Sequence, residues 1–318
     1  MANESRQSVA TATEAAAPRL IADVVDKLTG ARDGLSRWPD AACQMLPSRA
    51  VLRTIVESLR SVMFPGYFGD TDVTEETLPF HLGATLDGVL RGLTEQIRRG
   101  LCATCETPDP RRCPECDERA GHLAQQFVAR LPEVRRLLAL DVQAAYEGDP
   151  AAKSHSEPIL CYPGILAVTN HRLAHELHKL QVPLLPRMIT ELAHSTSGID
   201  IHPGARIGER LFIDHGTGVV VGETAIIGNR VRIYQGVTLG ARSFPLDANG
   251  HPIKGIPRHP IIEDDVIIYS GATILGRVRI GARSIIGGNV WLTHGVPPDS
   301  RISQSEVRDY GFTDGAGI

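Results

Sequence analysis

The chain has 318 residues, with 33 Lys and Arg against 37 Asp and Glu and a formal charge of −4. That balance offers no basic surface for nucleic acid or an anionic membrane, and no apolar run approaches the roughly 18 residues of a membrane helix. The N-terminus lacks a basic-then-apolar leader, so the protein is expected in the cytoplasm, with length enough for two domains.

Residues 1–18 are rich in Ala, Ser, Thr and Glu without periodicity and are expected to form a disordered tail. From 19 to 196 the pattern is that of an all-helical domain. Leu82, Leu86, Leu90, Leu93 and Ile97 recur at spacings of three and four and make one apolar stripe, with Arg91, Glu95, Arg98 and Arg99 away from it. Pro132 to Tyr146 repeats the pattern through Val134, Leu137, Leu138, Val142 and Tyr146. Ile165–Leu180 and Leu184–Leu192 are two further helices, split by Pro183.

Between two of these helices stand Cys102, Cys105, Cys113 and Cys116, two Cys-x2-Cys pairs with seven residues between them. In a reducing compartment four clustered thiols favour a metal over disulfides. Thiolates at this spacing can surround zinc tetrahedrally, and Pro108, Pro110 and Pro114 favour the turns this needs. A structural zinc is expected, with an iron–sulfur cluster or four free thiols as alternatives, and no catalytic role is assigned to it.

His171, His175 and His178 share a face of the helix that starts at Ile165. His175-Glu176-Leu177-His178 is one residue short of the zinc-protease motif, so the three are read as packing or hydrogen-bonding histidines. Asp149, followed by Pro150, reads locally as a helix N-cap with proline at the first helical position.

Residues 197–296 change character. Aliphatic residues recur every six positions, at Ile201, Ile207 and Ile213, at Val221, Ile227, Ile233 and Leu239, and from Ile262 through Ile268, Ile274, Ile280 and Ile286 to Leu292. Neither a helix nor a flat strand has that period. A parallel β-helix does, because three faces of six residues make one coil and each face sends one aliphatic side chain inward. Two steps are irregular. From Ile213 to Val221 the step is eight and carries Asp214 and His215; from Leu239 to Ile262 it is 23, which expels residues 240–261 as an arm ending near Arg258 and His259. Long excursions from a repeat lie on one face and tend to carry function. Residues 297–318, with Pro297, Pro298 and a glycine-rich end, are expected to be a flexible tail.

His215 is the best general-base candidate, since an imidazole titrates near working pH and sits here in a break in the register. A carboxylate orients such a base best, and Asp214 and Asp200 are the candidates. The local alternative for Asp214–His215 is a polar turn.

Asp200-Ile-His-Pro-Gly-Ala-Arg-Ile-Gly, the run from Ile213-Asp-His-Gly-Thr-Gly to Gly222-Glu-Thr-Ala, Val237-Thr-Leu-Gly and Arg258-His-Pro resemble serine O-acetyltransferases, over about Asp149 to Pro298. The resemblance implies an α+β chain: an N-terminal all-helical domain, then a left-handed parallel β-helix with a protruding arm. It implies a homotrimer with active sites between subunits, or a dimer of trimers, acting on L-serine and acetyl-CoA. His215 then matches the general base, Asp200 its paired carboxylate, and Asp214 a second aspartate beside it. Asp149 matches the residue that helps hold the substrate amine. Arg258 and His259 match the pair that contacts the substrate carboxylate. Gln235 falls beside the pocket, and Glu223 on the glutamate of the Gly-Glu-Thr run. Acetyl-CoA would lie along a groove between coils where Gly240, Gly271 and Gly288 allow close approach. The terminal Ile318 resembles the ending of family members that associate with O-acetylserine sulfhydrylase. The family's usual Gly-Val-Pro-Ala-Arg after the solenoid is missing. The rival readings are an acetyltransferase for another small hydroxyl acceptor and a metal hydratase of the γ-carbonic-anhydrase kind using His202, His215 and His259.

Overall fold

A computed structural model describes residues 20–28, 46–69, 72–103, 105 and 113–304. The expected N-terminal tail and the terminal Ile318 lie outside the described residues. Among the described residues seven helices come first: α1 (residues 20–28), α2 (Arg49–Met63), α3 (Leu78–Cys102), α4 (Pro114–Gly148), α5 (Ser156–Cys161), α6 (Pro163–Lys179) and α7 (Leu185–Ser197). Of the expected stripe, Leu93 and Ile97 are buried, and Leu82, Leu86 and Leu90 pack half-buried against the same core. The helix expected to begin at Pro132 instead begins at Pro114 and runs 35 residues through that proline. Packing of Leu123, Phe127, Leu131, Val134 and Leu138 outweighs the one backbone hydrogen bond an internal proline removes. The expected histidine packing is formed. His171 Nε2 donates to the Ala205 carbonyl at 3.1 Å and His175 Nδ1 to that of Pro203 at 2.7 Å.

The period of six becomes three parallel sheets. Strands β1 (Asp200–Ile201), β4 (Val220–Val221), β7 (Thr238–Gly240), β10 (Thr273–Leu275) and β13 (Trp291–Leu292) form the first. β2 (Arg206–Ile207), β5 (Ile226–Ile227), β8 (Ile261–Ile262) and β11 (Arg279–Ile280) form the second. The third holds β3 (Phe212–Ile213), β6 (Arg232–Ile233), β9 (Ile267–Ile268), β12 (Ile285–Ile286) and β14 (Arg301–Ile302). Each aliphatic second residue points inward, and Ile233, Leu239, Ile268, Ile274, Ile280 and Ile286 are fully buried. Thr273 pairs with Trp291 and Val220 with Thr238, one regular coil of 18 residues apart. Asp200 pairs with Val220 and Thr238 with Thr273, so the irregular steps stay in register by bulging outward between strands. The second bulge leaves the sheet after Gly240 and rejoins it at Ile261.

The coil does not stop at 296. β14 pairs with β12 through Ile285↔Arg301 and Ile286↔Ile302, so residues 297–302 complete a further turn instead of starting the tail. The helical region is welded to the solenoid by a buried ion pair. Arg172 of α6 donates to both carboxylate oxygens of Asp141 of α4, at 2.5 and 2.8 Å, and to the Gly208 carbonyl at 2.8 Å. Asp141 in turn accepts from the Leu211 N–H at 3.0 Å. Every partner of this pair is satisfied, which is what makes a buried charge tolerable.

Candidate active site

Two groups of polar side chains gather on the solenoid. The first is built on the turn between β4 and β5, which carries Glu223 and Thr224, and on the end of the arm, which returns Arg258 and His259 to it. Arg258 Nη2 lies 2.7 Å from Glu223 Oε2. Burial raises the Glu223 carboxyl, but the bond from Arg258 and its charge outweigh this and leave it below its ordinary value. The backbone N–H groups of Arg258 and His259 donate to Thr224 Oγ1 at 2.9 and 3.1 Å. Arg277 Nη1 clamps the same junction from outside, donating to the carbonyls of Thr224 and His259 at 2.7 and 2.9 Å. The His259 pKa is pushed down to about 4 by burial and by the neighbouring Arg258 cation. His202 is likewise pushed down to about 4, by burial and then by Arg187. Asp200, at the start of β1, belongs to this side of the molecule, with Oδ1 3.6 Å from Arg187 Nη1.

The second group sits where the eight-residue step bulges between β3 and β4. His215 takes a left-handed backbone conformation, φ 56°, and Gly216 follows at φ 77°. The His215 side chain is 72% exposed, with Nε2 3.8 Å from Asp214 Oδ1. It is thus turned out of the core, as a base must be. Asp149 lies within its electrostatic reach. The Tyr162 hydroxyl donates to Asp149 Oδ2 at 2.5 Å, and the Ala151 N–H donates to Oδ1 at 2.8 Å. These two bonds hold the Asp149 carboxyl below its ordinary value, and the His215 ring adds to the effect. The N-cap reading of Asp149 is corrected. The residue closes α4 as its C-cap, no helix starts at Pro150, and its side chain makes a local turn at Ala151 instead.

The remaining candidates are placed along the solenoid. Gln235 is exposed at the same corner as His215, one coil further on, since β3 pairs with β6 and β4 with β7. Gly271 and Gly288 continue that corner. Gly271 has φ 71°, and a Cβ there would lie 2.2 Å from Asn289 Oδ1, so a larger residue would be strained and would displace the Asn289 side chain. Gly240 ends β7 at the root of the arm.

No hydrogen bond or ion pair among the described residues joins the two groups. The expected Asp200–His215 pair is not made within one chain, where Asp200 faces Arg187 and His215 faces Asp214. The Glu223–Arg258–His259 group and the Asp149–Asp214–His215 group therefore coexist on one protomer as separate clusters. Sequence reasoning missed Tyr162, Thr224 and Arg187. Thr224 stood inside the quoted Gly-Glu-Thr run, but its partners are 34 and 35 residues away across the arm.

The four cysteines meet between the end of α3 and the start of α4. The sulfurs of Cys105, Cys113 and Cys116 lie within 4.8 Å of one another, with Cys105 Sγ 3.8 Å from Cys113 Sγ. Cys102 is buried at the same junction, outside that group of three mutually close sulfurs. Tetrahedral zinc at about 2.3 Å from each sulfur sets sulfurs about 3.8 Å apart, so the donor set fits that ion. Among the described residues no helix is long and apolar enough to cross a membrane.

Residues 259–294 match the family model described as bacterial transferase hexapeptide (six repeats). A plasmid-encoded serine acetyltransferase of Synechococcus elongatus is 57% identical over 275 residues, 86% of each chain. The serine acetyltransferase of Mycobacterium tuberculosis is 49% identical over 160 residues, 50% of this chain and 66% of its own length. Among solved structures, serine acetyltransferase isoform 3 of Entamoeba histolytica in complex with cysteine superposes with a TM-score of 0.69 at 35% identity, covering 82% of this chain and 84% of its own. The serine complex of the Neisseria gonorrhoeae serine acetyltransferase gives 0.52 at 30% identity, over 80% and 95%.

Proposed function

The chain belongs to the serine acetyltransferase family, and on that premise we propose how its residues move an acetyl group from acetyl-CoA to the hydroxyl of L-serine. The observation that carries the reading is the Arg258–Glu223 pair at 2.7 Å. It presents a guanidinium already holding one carboxylate, in the posture that would receive the carboxylate of an amino acid. The metal-hydratase rival falls with the family, and serine is favoured over other hydroxyl acceptors by the same relatives.

Serine would bind with its carboxylate on Arg258 and His259 and its ammonium on Asp149, with Gln235 beside it and Glu223 steadying Arg258. His215 takes the hydroxyl proton as the oxygen attacks the thioester carbonyl. Backbone N–H groups along the glycine-lined corner would carry the oxyanion of the tetrahedral intermediate. Its collapse expels the CoA thiolate, which takes the proton from the His215 imidazolium, leaving O-acetylserine and CoA. Acetyl-CoA would run past Gly240, Gly271 and Gly288.

This chemistry needs the two clusters together. A homotrimer, alone or as a dimer of trimers, would set the Asp149–Asp214–His215 face of one protomer against the Asp200–Glu223–Arg258–His259 face of the next, and Asp200 would then reach His215 across the interface. Turnover of serine with acetyl-CoA, followed by thiol release, tests the function directly. Absence of release with serine, or faster release with another hydroxyl acceptor, would sink it.

Three finer readings belong to the same proposal. Cys102, Cys105, Cys113 and Cys116 hold a structural zinc that ties α3 to α4. One zinc per chain in wild type and none in a C113S/C116S double variant is the expected metal analysis. Ile318 would dock in the active site of O-acetylserine sulfhydrylase, its carboxylate held by backbone donors. Deleting Ile318 should abolish co-elution with that enzyme and spare acetyl transfer. Fractionation should find the protein in the cytoplasm.

A further inference from the structure

The arm delivers His259 into a fitted slot. An added Cβ on Gly222 would lie 1.9 Å from His259 Cδ2 and 2.1 Å from its Nε2, so the imidazole rests directly on the bare Gly222 backbone. Two residues on, Thr224 engages the ring and the chain that carries it. The Thr224 backbone N–H donates to His259 Nδ1 at 3.1 Å, and Thr224 Oγ1 lies 2.9 Å from the same nitrogen. A nitrogen that accepts from a backbone N–H carries no hydrogen of its own, so the ring proton of neutral His259 sits on Nε2. Oγ1 also accepts from the N–H groups of both Arg258 and His259, at 2.9 and 3.1 Å, which leaves its own hydrogen free for Nδ1. His259 Nε2 has no partner among the described residues, and it is not a sealed, unpaired atom as His81 Nε2 and His171 Nδ1 are. It is left available to a ligand.

We infer that Thr224 is a positioning residue that fixes His259 as the Nε2–H tautomer, making His259 a hydrogen-bond donor to the substrate carboxylate and excluding it as a second base. The point rests on the assignment of Arg258 and His259 to that carboxylate. Thr224 touches no substrate. It sets the ring's proton and orientation, and through two backbone bonds it sets where the Arg258 guanidinium starts. The division of labour between the two site histidines follows from their surroundings. His215 is exposed, with Nε2 3.8 Å from Asp214 Oδ1, and its ring is open to a ligand on either nitrogen. His259, buried beside Arg258 and capped at Nδ1 by Thr224, can only give a hydrogen bond.

The test needs no turnover at its first step. In full-length protein labelled with ¹⁵N-histidine, with the His259 signals assigned by their loss in H259Q, wild type should show an unprotonated Nδ1 and a protonated Nε2 at pH 7.5. A proton on Nδ1, or an imidazolium at that pH, overturns the inference whatever the substrate proves to be. Kinetics then separate positioning from general support. T224V, which keeps shape but loses the hydroxyl, should raise KM for serine roughly tenfold and leave KM for acetyl-CoA within about twofold. T224S, which restores the hydroxyl, should return KM for serine to within about threefold of wild type. An unchanged serine KM in T224V, or equal rises for both substrates, would overturn it. If T224V does not fold, the tautomer measurement on wild type decides alone, because the bond from the Thr224 backbone N–H requires a bare Nδ1.

Discussion

The two clusters on one protomer are built to opposite specifications. The Arg258 cluster is finished before any ligand arrives. Arg258 is paired with Glu223, its backbone is bonded to Thr224, and Arg277 clamps the arm's last carbonyl. The His215 cluster is open, with the base 72% exposed and 3.8 Å from Asp214. On the proposed reading, binding energy for the amino acid would come from the preorganised half, whereas the base would wait for a surface that one chain does not supply. Preorganisation suits a group that must recognise a carboxylate. Exposure suits one that must meet a hydroxyl already held elsewhere.

The largest effect should come from the open half. H215A removes the base but almost no buried surface, so turnover should fall on the order of 10²–10⁴-fold while size and thermal stability stay those of wild type. More than about a tenth of wild-type kcat remaining would take the base role away from His215. On the finished half, R258A should act on binding. KM for serine should rise roughly ten- to a hundredfold, with KM for acetyl-CoA nearly unchanged, as expected for loss of a charge-assisted contact. Equal effects on both substrates would show that the arm shapes the whole pocket instead. The smallest change sharpens the contrast. Tyr162 gives the open half its one tight side-chain bond, to Asp149. Y162F should raise KM for serine roughly two- to tenfold and leave kcat close to wild type. A fall in kcat larger than the rise in KM would move Tyr162 from holding the amine site to the chemical step.

The solenoid was legible almost residue by residue, because one aliphatic per six is a pattern with a single structural solution. The two irregular steps, at Asp214–His215 and at the arm, also announced themselves as departures from a strict count. The last coil was not readable, since nine residues with two prolines separate Leu292 from Ile302 and hide the period. The helical region was less transparent. Pro132 read as a helix start when long-range packing carries α4 straight through it, and Asp149-Pro150 read as a cap when the aspartate closes a helix. Tertiary contacts override local signals in both cases. In the site, the residues named from the family resemblance fell into the two clusters and the corner ridge, except Gly240 at the root of the arm and Ile318 outside the described residues. Tyr162 and Thr224 were not recoverable, because a hydroxyl's partner 13 or 35 residues away leaves no local mark.

The claim that the active site is completed between copies is tested most directly by mixing two impaired variants and assaying at serine well below KM, where each alone is slow. H215A chains keep the Arg258 face and R258A chains keep the His215 face. When the two are unfolded together and refolded at equal amounts, about a third of the interfaces in mixed trimers, and so about a quarter of all interfaces, should carry both intact faces. Activity of the mixture should then climb to about a quarter of wild type, far above either variant alone. Activity no greater than the average of the two separate variants, in a sample whose mixed trimers are confirmed by native mass spectrometry, would contradict a site shared between protomers.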